Sequence, residues 1–292
     1  MTASPLALVR AMRPRQWTKN LAVFAALLFA KNVLLHGQAL KAVLAFASFC
    51  FVASAIYVVN DWVDREKDKL HPEKALRPIA AGQVTAGPAF ALVAVCLCAG
   101  GALAWSARPE FATLVAGYVG LQVLYSLALK RLVILDVMVI ALGFILRVIG
   151  GGIAIGVQVS NWLFLCTLLL AVFLGFAKRR AEVAMLAGEQ LGHRENLNEY
   201  SLPLLDQMMS IVAASCILAY GLYTVSRETV EHVGSDRLKY TVPFVIYGIF
   251  RYLFLIHRKG AGGSPEKVLL SDAPLMAALV LWVGTAAWAL YA

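Results

Sequence analysis

Charge is what this sequence has least of. Only 15% of its 292 residues are Asp, Glu, Lys or Arg, against about 25% in soluble globular domains. That shortage excludes a water-facing surface over most of the chain. No hydrophilic stretch is long enough for a separate soluble domain, so one domain over residues 1–292 is expected, although the length alone admits two. Histidine is also scarce, with five residues. The five cysteines (Cys50, Cys96, Cys98, Cys166 and Cys216) all lie in apolar runs, without a CxxC pair or a neighbouring His. This argues against zinc and against a disulfide framework, and leaves them as small packing residues.

What is abundant is apolar sequence, 61% of the chain. A helix needs about 20 mainly apolar residues to cross the hydrocarbon, and only helices or closed barrels satisfy every backbone group there. The runs predict nine spans, near 21–36, 42–60, 88–106, 111–128, 132–155, 161–177, 206–226, 240–257 and 272–291. Arg10, Arg13, Arg15 and Lys19 precede the first run, as in a signal peptide, but no small-x-small cleavage site follows; it is read as a retained helix. The expected architecture is all-α, a polytopic membrane protein with nine transmembrane helices.

Basic residues orient it. The N-terminus and the loops after spans 2, 4, 6 and 8 hold eighteen Lys and Arg, whereas the opposite loops hold six. The N-terminus and the long ionisable loops are therefore expected in the cytoplasm, the C-terminus outside, and the protein in the inner (cytoplasmic) membrane. The lipid bilayer is the implied environment. No nucleic-acid partner is expected, and a homo-oligomer is permitted.

The sharpest chemistry lies at the cytoplasmic end of span 2, in Asn60-Asp61-Trp62-Val63-Asp64-Arg65-Glu66-Lys67-Asp68. If the helix continues, Asp61, Asp64 and Asp68 share a face at i, i+3 and i+7. Carboxylates that close repel unless a cation neutralises them. Hard oxygen ligands with room left for substrate phosphates suit Mg²⁺. A solvated helix end with Arg65, Lys67 and Lys69 as counter-charges is the plainer alternative, but ionisable groups at membrane depth are expensive and tend to be functional. The segment resembles the NDxxDxxxD motif of the UbiA-type intramembrane prenyltransferase superfamily. The resemblance implies a UbiA-type helical bundle with its active site on the cytoplasmic face. It also implies a Mg²⁺-bound diphosphate held by Asn60, Asp61, Asp64 and Asp68, with Asp61 and Asp64 as catalytic residues.

Members that prenylate aromatic rings carry a second acidic motif, DxxxD, after span 6. Here that place reads Lys178-Arg179-Arg180-Ala181-Glu182. A basic cluster binds anions, Arg in bidentate fashion, so phosphate beyond the metal-bound diphosphate is expected. This substitution is similar to one branch of the superfamily, the decaprenyl-phosphate phosphoribosyltransferases, as are RPRQWTKN at 13–20, HPEKALRPIAAG at 71–82, YSLALK at 125–130 and LRVIGG at 146–151. The resemblance implies transfer of 5-phosphoribosyl from phosphoribosyl diphosphate (PRPP) to a polyprenyl phosphate lipid. Lys178, Arg179, Tyr125 and Lys130 are the first candidates for donor phosphates, with Glu182 in the same set. Arg77, before Pro78, is expected in an extended segment reaching over the site. Arg15 and Lys19, flanking Trp17, are candidates for the lipid phosphate. Membrane-surface attraction, about 1 kcal/mol per basic residue, is the alternative for each.

Two further charges fall inside span 5. Asp136 is expected to orient Lys130, Arg131 or another base, and Arg147, just before Gly150-Gly151-Gly152, to bond backbone carbonyls or a polar partner in the bundle interior; the glycines allow close helix approach or a break. Rival functions are a prenyl transferase acting on an aromatic acceptor, and a transporter or lipid scaffold. Transporters often carry internal repeats, and none is evident here.

Overall fold

The computed structural model describes residues 4–29, 36–70, 74–186, 197, 199–260, 263 and 265–291. Among them every regular element is helical. The α-helices are α1 (Pro5–Ala11), α2 (Ala25–Phe29), α3 (His36–Val63), α4 (Arg65–Lys69), α5 (Ala86–Ala107), α6 (Pro109–Leu127), α7 (Leu135–Ile155), α8 (Asn161–Leu186), α9 (Leu202–Val225), α10 (Arg227–Val233), α11 (Val242–Lys259), α12 (Pro265–Ser271) and α13 (Ala273–Tyr291). Eight described helical segments are long and apolar enough to cross a membrane, and they coincide with the second to ninth predicted spans. Large apolar residues such as Phe90, Val95, Val123, Phe250 and Val280 are exposed, while Asn20, Asp61, Asp68, Asp136, Arg147 and Arg179 are buried. That inverted distribution is what a lipid solvent selects.

The first predicted span behaves differently. Its beginning belongs to a 3-10 helix, Pro14–Phe24, which passes into the short α2. The remainder, 30–35, including Lys31 and Asn32, lies outside the described residues, as do His71 and Arg194. A 3-10 run of that length is uncommon, and its neighbours account for it. A Cβ placed on Gly151 would come 2.0 Å from the Val23 carbonyl oxygen, so the backbone of the 3-10 segment lies directly on α7. The three glycines therefore serve close approach, and α7 continues through them unbroken.

The chain forms two compact units, Met1–Lys130 with Leu146–Val159, and Arg131–Ile145 with Ser160–Ala292. In the first, Phe49 packs edge-on against Phe111 and Tyr118, with ring centroids 5.6 and 5.3 Å away, beside Val23, Val52 and Val115. Arg147 is buried beside this core. Its Nε donates to Asn20 Oδ1 and its Nη2 to Tyr118 Oη, each at 2.7 Å, which supplies the expected polar partners. In the second unit Val137, Phe173, Leu205, Met209 and Ile256 form the core, and Phe173 meets Tyr252 edge-on at 5.7 Å.

Two helices outrun their predicted C-terminal ends by three residues or more. At 28 residues, α3 is about 42 Å long by its rise per residue, more than the roughly 30 Å of hydrocarbon. The surplus carries Asn60 and Asp61 to its end. Helix α8 continues to Leu186, so Lys178, Arg179, Arg180 and Glu182 stand on a helix, where a loop after residue 177 was expected. Strong helix formers and the Arg179–Glu182 and Lys178–Glu182 pairs at i, i+3 and i, i+4 explain the continuation.

Candidate active site

In the first unit the acidic run keeps its helical winding past the end of α3. Asp64 N–H donates to Asn60 O at 2.9 Å and Asp68 N–H to Asp64 O at 2.8 Å. Asp61 and Asp68 thus turn to one side, and both are buried, at 3% and 4% exposure. One atom joins them. Arg77 Nη1 lies 3.2 Å from Asp61 Oδ1 and 2.5 Å from Asp68 Oδ2. Arg13 adds a second guanidinium, with Nε donating to Asp61 Oδ2 at 3.2 Å and Nη2 to Oδ1. Two buried carboxylates are matched by two arginines, as burial of charge demands.

Local backbone sets both arginines. Arg13 adopts a left-handed φ of 55° immediately before the 3-10 helix, which turns its side chain back over the Tyr57 ring. Arg77 sits in a bend after the 3-10 turn Lys74–Leu76, with its carbonyl accepting from Ala81 N at 2.8 Å. Asn60 is tied to α6, its Oδ1 accepting from Ser126 Oγ at 2.9 Å. Asp64 is half-buried, and Glu66 faces outward with Lys69 Nζ at 2.9 and 3.0 Å. The Lys69 hydrogen bond holds the Glu66 carboxyl below the usual range.

Among the described residues no three His, Cys, Asp or Glu side chains are already arranged as a metal cage. The donor set nevertheless fits a hard divalent cation. Two buried carboxylates converge on a single cationic nitrogen, and oxygen ligands of that kind suit Mg²⁺, which keeps waters or substrate oxygens in its remaining positions.

The other predicted bases divide by exposure. In the first unit Arg15 is exposed, while Lys19, Tyr125 and Lys130 are half-buried. Trp17 is docked inward by donating from Nε1 to Ser54 Oγ at 3.1 Å. In the second unit Arg179 is 1% exposed and Asp136 is fully buried. Arg179 Nε donates to Asp136 Oδ2 at 2.6 Å, and Nη1 bonds Glu182. Lys178 is half-buried with Nζ 4.0 Å from Glu182. Arg180 instead pairs with Asp206, which His257 Nε2 also approaches at 3.2 Å.

In the sequence Arg13 is only one of the basic residues before the first run, with no acid as partner; Ser126 is one position in the YSLALK stretch, and Asp206 and Tyr200 carry no signal. Tyr200 Oη lies 2.9 Å from Asp136 Oδ1 and accepts from Ile134 N at 2.6 Å. Burial pushes its phenol pKa up, so it stays a donor to Asp136. Ile134 has φ 68°, a conformation that costs a β-branched residue about 1–3 kcal/mol.

Membrane-spanning helices throughout the described residues, with buried carboxylates at a helix end, fit the class of intramembrane enzymes, and sequence comparison places the chain there. Residues 20–186 match the UbiA prenyltransferase family, and the chain belongs to that family. Within it, similarity extends over almost the full length to particular proteins. The decaprenyl-phosphate phosphoribosyltransferase of Mycolicibacterium smegmatis is 34% identical over 97% of this chain and 92% of its own. That of Corynebacterium glutamicum is 32% identical over 97% and 86%. Among solved structures, a UbiA homolog from Archaeoglobus fulgidus bound to GPP and Mg²⁺ has a TM-score of 0.72 at 19% identity, covering 98% of this chain and all of that one. It establishes the fold.

Proposed function

We propose that the chain is an intramembrane phosphoribosyltransferase that moves 5-phosphoribosyl from PRPP to a polyprenyl phosphate. The observation carrying this reading is the convergence of buried Asp61 and Asp68 on one cationic point. The basic run Lys178-Arg179-Arg180 and the near full-length likeness to phosphoribosyltransferases support the choice of donor. The C1–O bond of PRPP breaks, diphosphate leaves with the bonding electron pair, and a phosphate oxygen of the lipid forms the new bond to C1 from the opposite face. That oxygen is anionic at neutral pH and needs no general base, which fits a chain with so few histidines.

Asp61 and Asp64 are the catalytic carboxylates and, with Asn60 and Asp68, the Mg²⁺ ligands. Bound there, Mg²⁺ supplies positive charge for the leaving diphosphate. Arg13 and Arg77, already at these carboxylates, give guanidinium donors to diphosphate oxygens. Lys178, Arg179, Tyr125 and Lys130 orient the donor through its 5-phosphate, with Glu182 in the set as the carboxylate that holds Arg179, and Arg15 and Lys19 hold the lipid phosphate. Positioning and charge stabilisation do the work. Residues 1–292 act as one functional domain that crosses the inner membrane nine times, with 21–36 as the first span. The excess of basic residues supports a cytoplasmic N-terminus and active site, and an external C-terminus.

The test incubates membranes with labelled PRPP, polyprenyl phosphate and Mg²⁺ and follows label into the lipid fraction. A parallel arm supplies prenyl diphosphate and an aromatic acceptor. Label in the lipid from PRPP supports the reading; turnover in the second arm alone replaces it with aromatic prenylation.

A further inference from the structure

In the second unit an unbroken series of contacts leads from a strained turn to the basic end of α8. Ile134 stands in the left-handed region, which β-branched residues avoid. The turn around it is wound tightly, with Leu135 N–H on Val133 O at 2.8 Å and Asp136 N–H on Leu132 O at 3.0 Å. Tyr200 Oη accepts from Ile134 N and donates to Asp136 Oδ1. Asp136 Oδ2 accepts from Arg179 Nε, and Arg179 Nη1 holds Glu182. The longest link comes last, the 4.0 Å between Glu182 and Lys178 Nζ.

A core needs none of this to be stable. Apolar residues of similar volume usually serve as well as a buried ion pair, and strained backbone persists where the surroundings over-determine it, commonly at functional sites. The phenol, Asp136 and Arg179 are joined by hydrogen bonds of 2.9 and 2.6 Å, and the series ends on the half-buried ammonium group of Lys178 beside Glu182.

We propose that Tyr200 and Asp136 are positioning residues for the donor: they hold the Ile134 turn in its left-handed form and lock Arg179, which fixes Glu182, so that the neighbouring Lys178 Nζ is presented to the 5-phosphate. This rests on the phosphoribosyl reading above. Tyr200 acts through Asp136 and Arg179 and touches no substrate.

Tyr200→Phe tests it by removing one oxygen and keeping the ring. Two readouts are taken on the purified full-length protein. Amide hydrogen exchange at Ile134 accelerates in the variant. The KM for PRPP rises about tenfold, the effect of one hydrogen bond, while kcat and the KM for polyprenyl phosphate hold. Glycine takes positive φ without strain, so Ile134→Gly combined with Tyr200→Phe brings the PRPP KM back toward wild type. Unchanged exchange at Ile134 overturns the brace whatever the activity shows. A lower melting temperature with an unmoved PRPP KM, or an equal shift for both substrates, overturns its role in donor binding. Failure of the wild type to transfer phosphoribosyl at all sinks the reading of the reaction instead, and hydrogen exchange at Ile134 then still decides whether the brace exists.

Discussion

Asp61 has two guanidinium partners, and Asp68 shares one of them. Asp61→Asn should abolish transfer in the membrane assay while the protein still inserts, because a carboxylate is lost where the diphosphate's countercharge gathers. Arg13→Gln should behave differently. It leaves Asp61 paired with Arg77 and lowers stability by at most about 3 kcal/mol, read as a lower melting temperature in detergent, with weakened diphosphate inhibition. In the second unit, Lys178→Gln/Arg179→Gln should raise the PRPP KM well above any change in that for the lipid; equal changes would mean that these bases only steer insertion. The acids of this site were legible as a run of fixed spacing on a helix, and Arg77 was expected to reach over them. Their other partner was not legible, because Arg13 is 48 positions from Asp61 and nothing local links them. Ile134 was illegible for another reason: its residue type argues against the backbone it adopts, and only Tyr200, 66 positions on, explains it.

At the level of elements, length and apolar content placed eight helices correctly, since lipid leaves the backbone few other choices. Their ends were less legible. Hydropathy stops at the first charges of α8, yet the helix continues because those charges pair along it. Hydropathy also cannot tell a 3-10 segment from an α-helix, and the Pro14–Phe24 stretch is decided by what lies against it. Gly151→Ala tests that contact. A methyl group 2.0 Å from the Val23 carbonyl forces the backbones apart, at a cost of about 1–3 kcal/mol or more. The measurement is the melting temperature, set against Gly117→Ala, which has open space around its Cβ and should be nearly silent.

Across the whole molecule, the basic bias predicts which side each loop occupies. In a cysteine-free background, a cysteine placed at Arg227 should react with an impermeant maleimide in intact cells, and one placed at Lys69 only after lysis. The reverse pattern would invert the proposed orientation. A charge bias acts by sum and so can be counted from the sequence, whereas individual pairings need the fold. The order of synthesis adds a consequence for the two buried charges of α7. When Arg147 leaves the ribosome, Asn20 and Tyr118 have already been made, and the guanidinium can enter the bilayer onto waiting acceptors. Asp136 emerges before Arg179 and Tyr200 exist, so a nascent chain halted in between lacks those two partners for the carboxylate, and its α7 should settle in the membrane only once translation has run on.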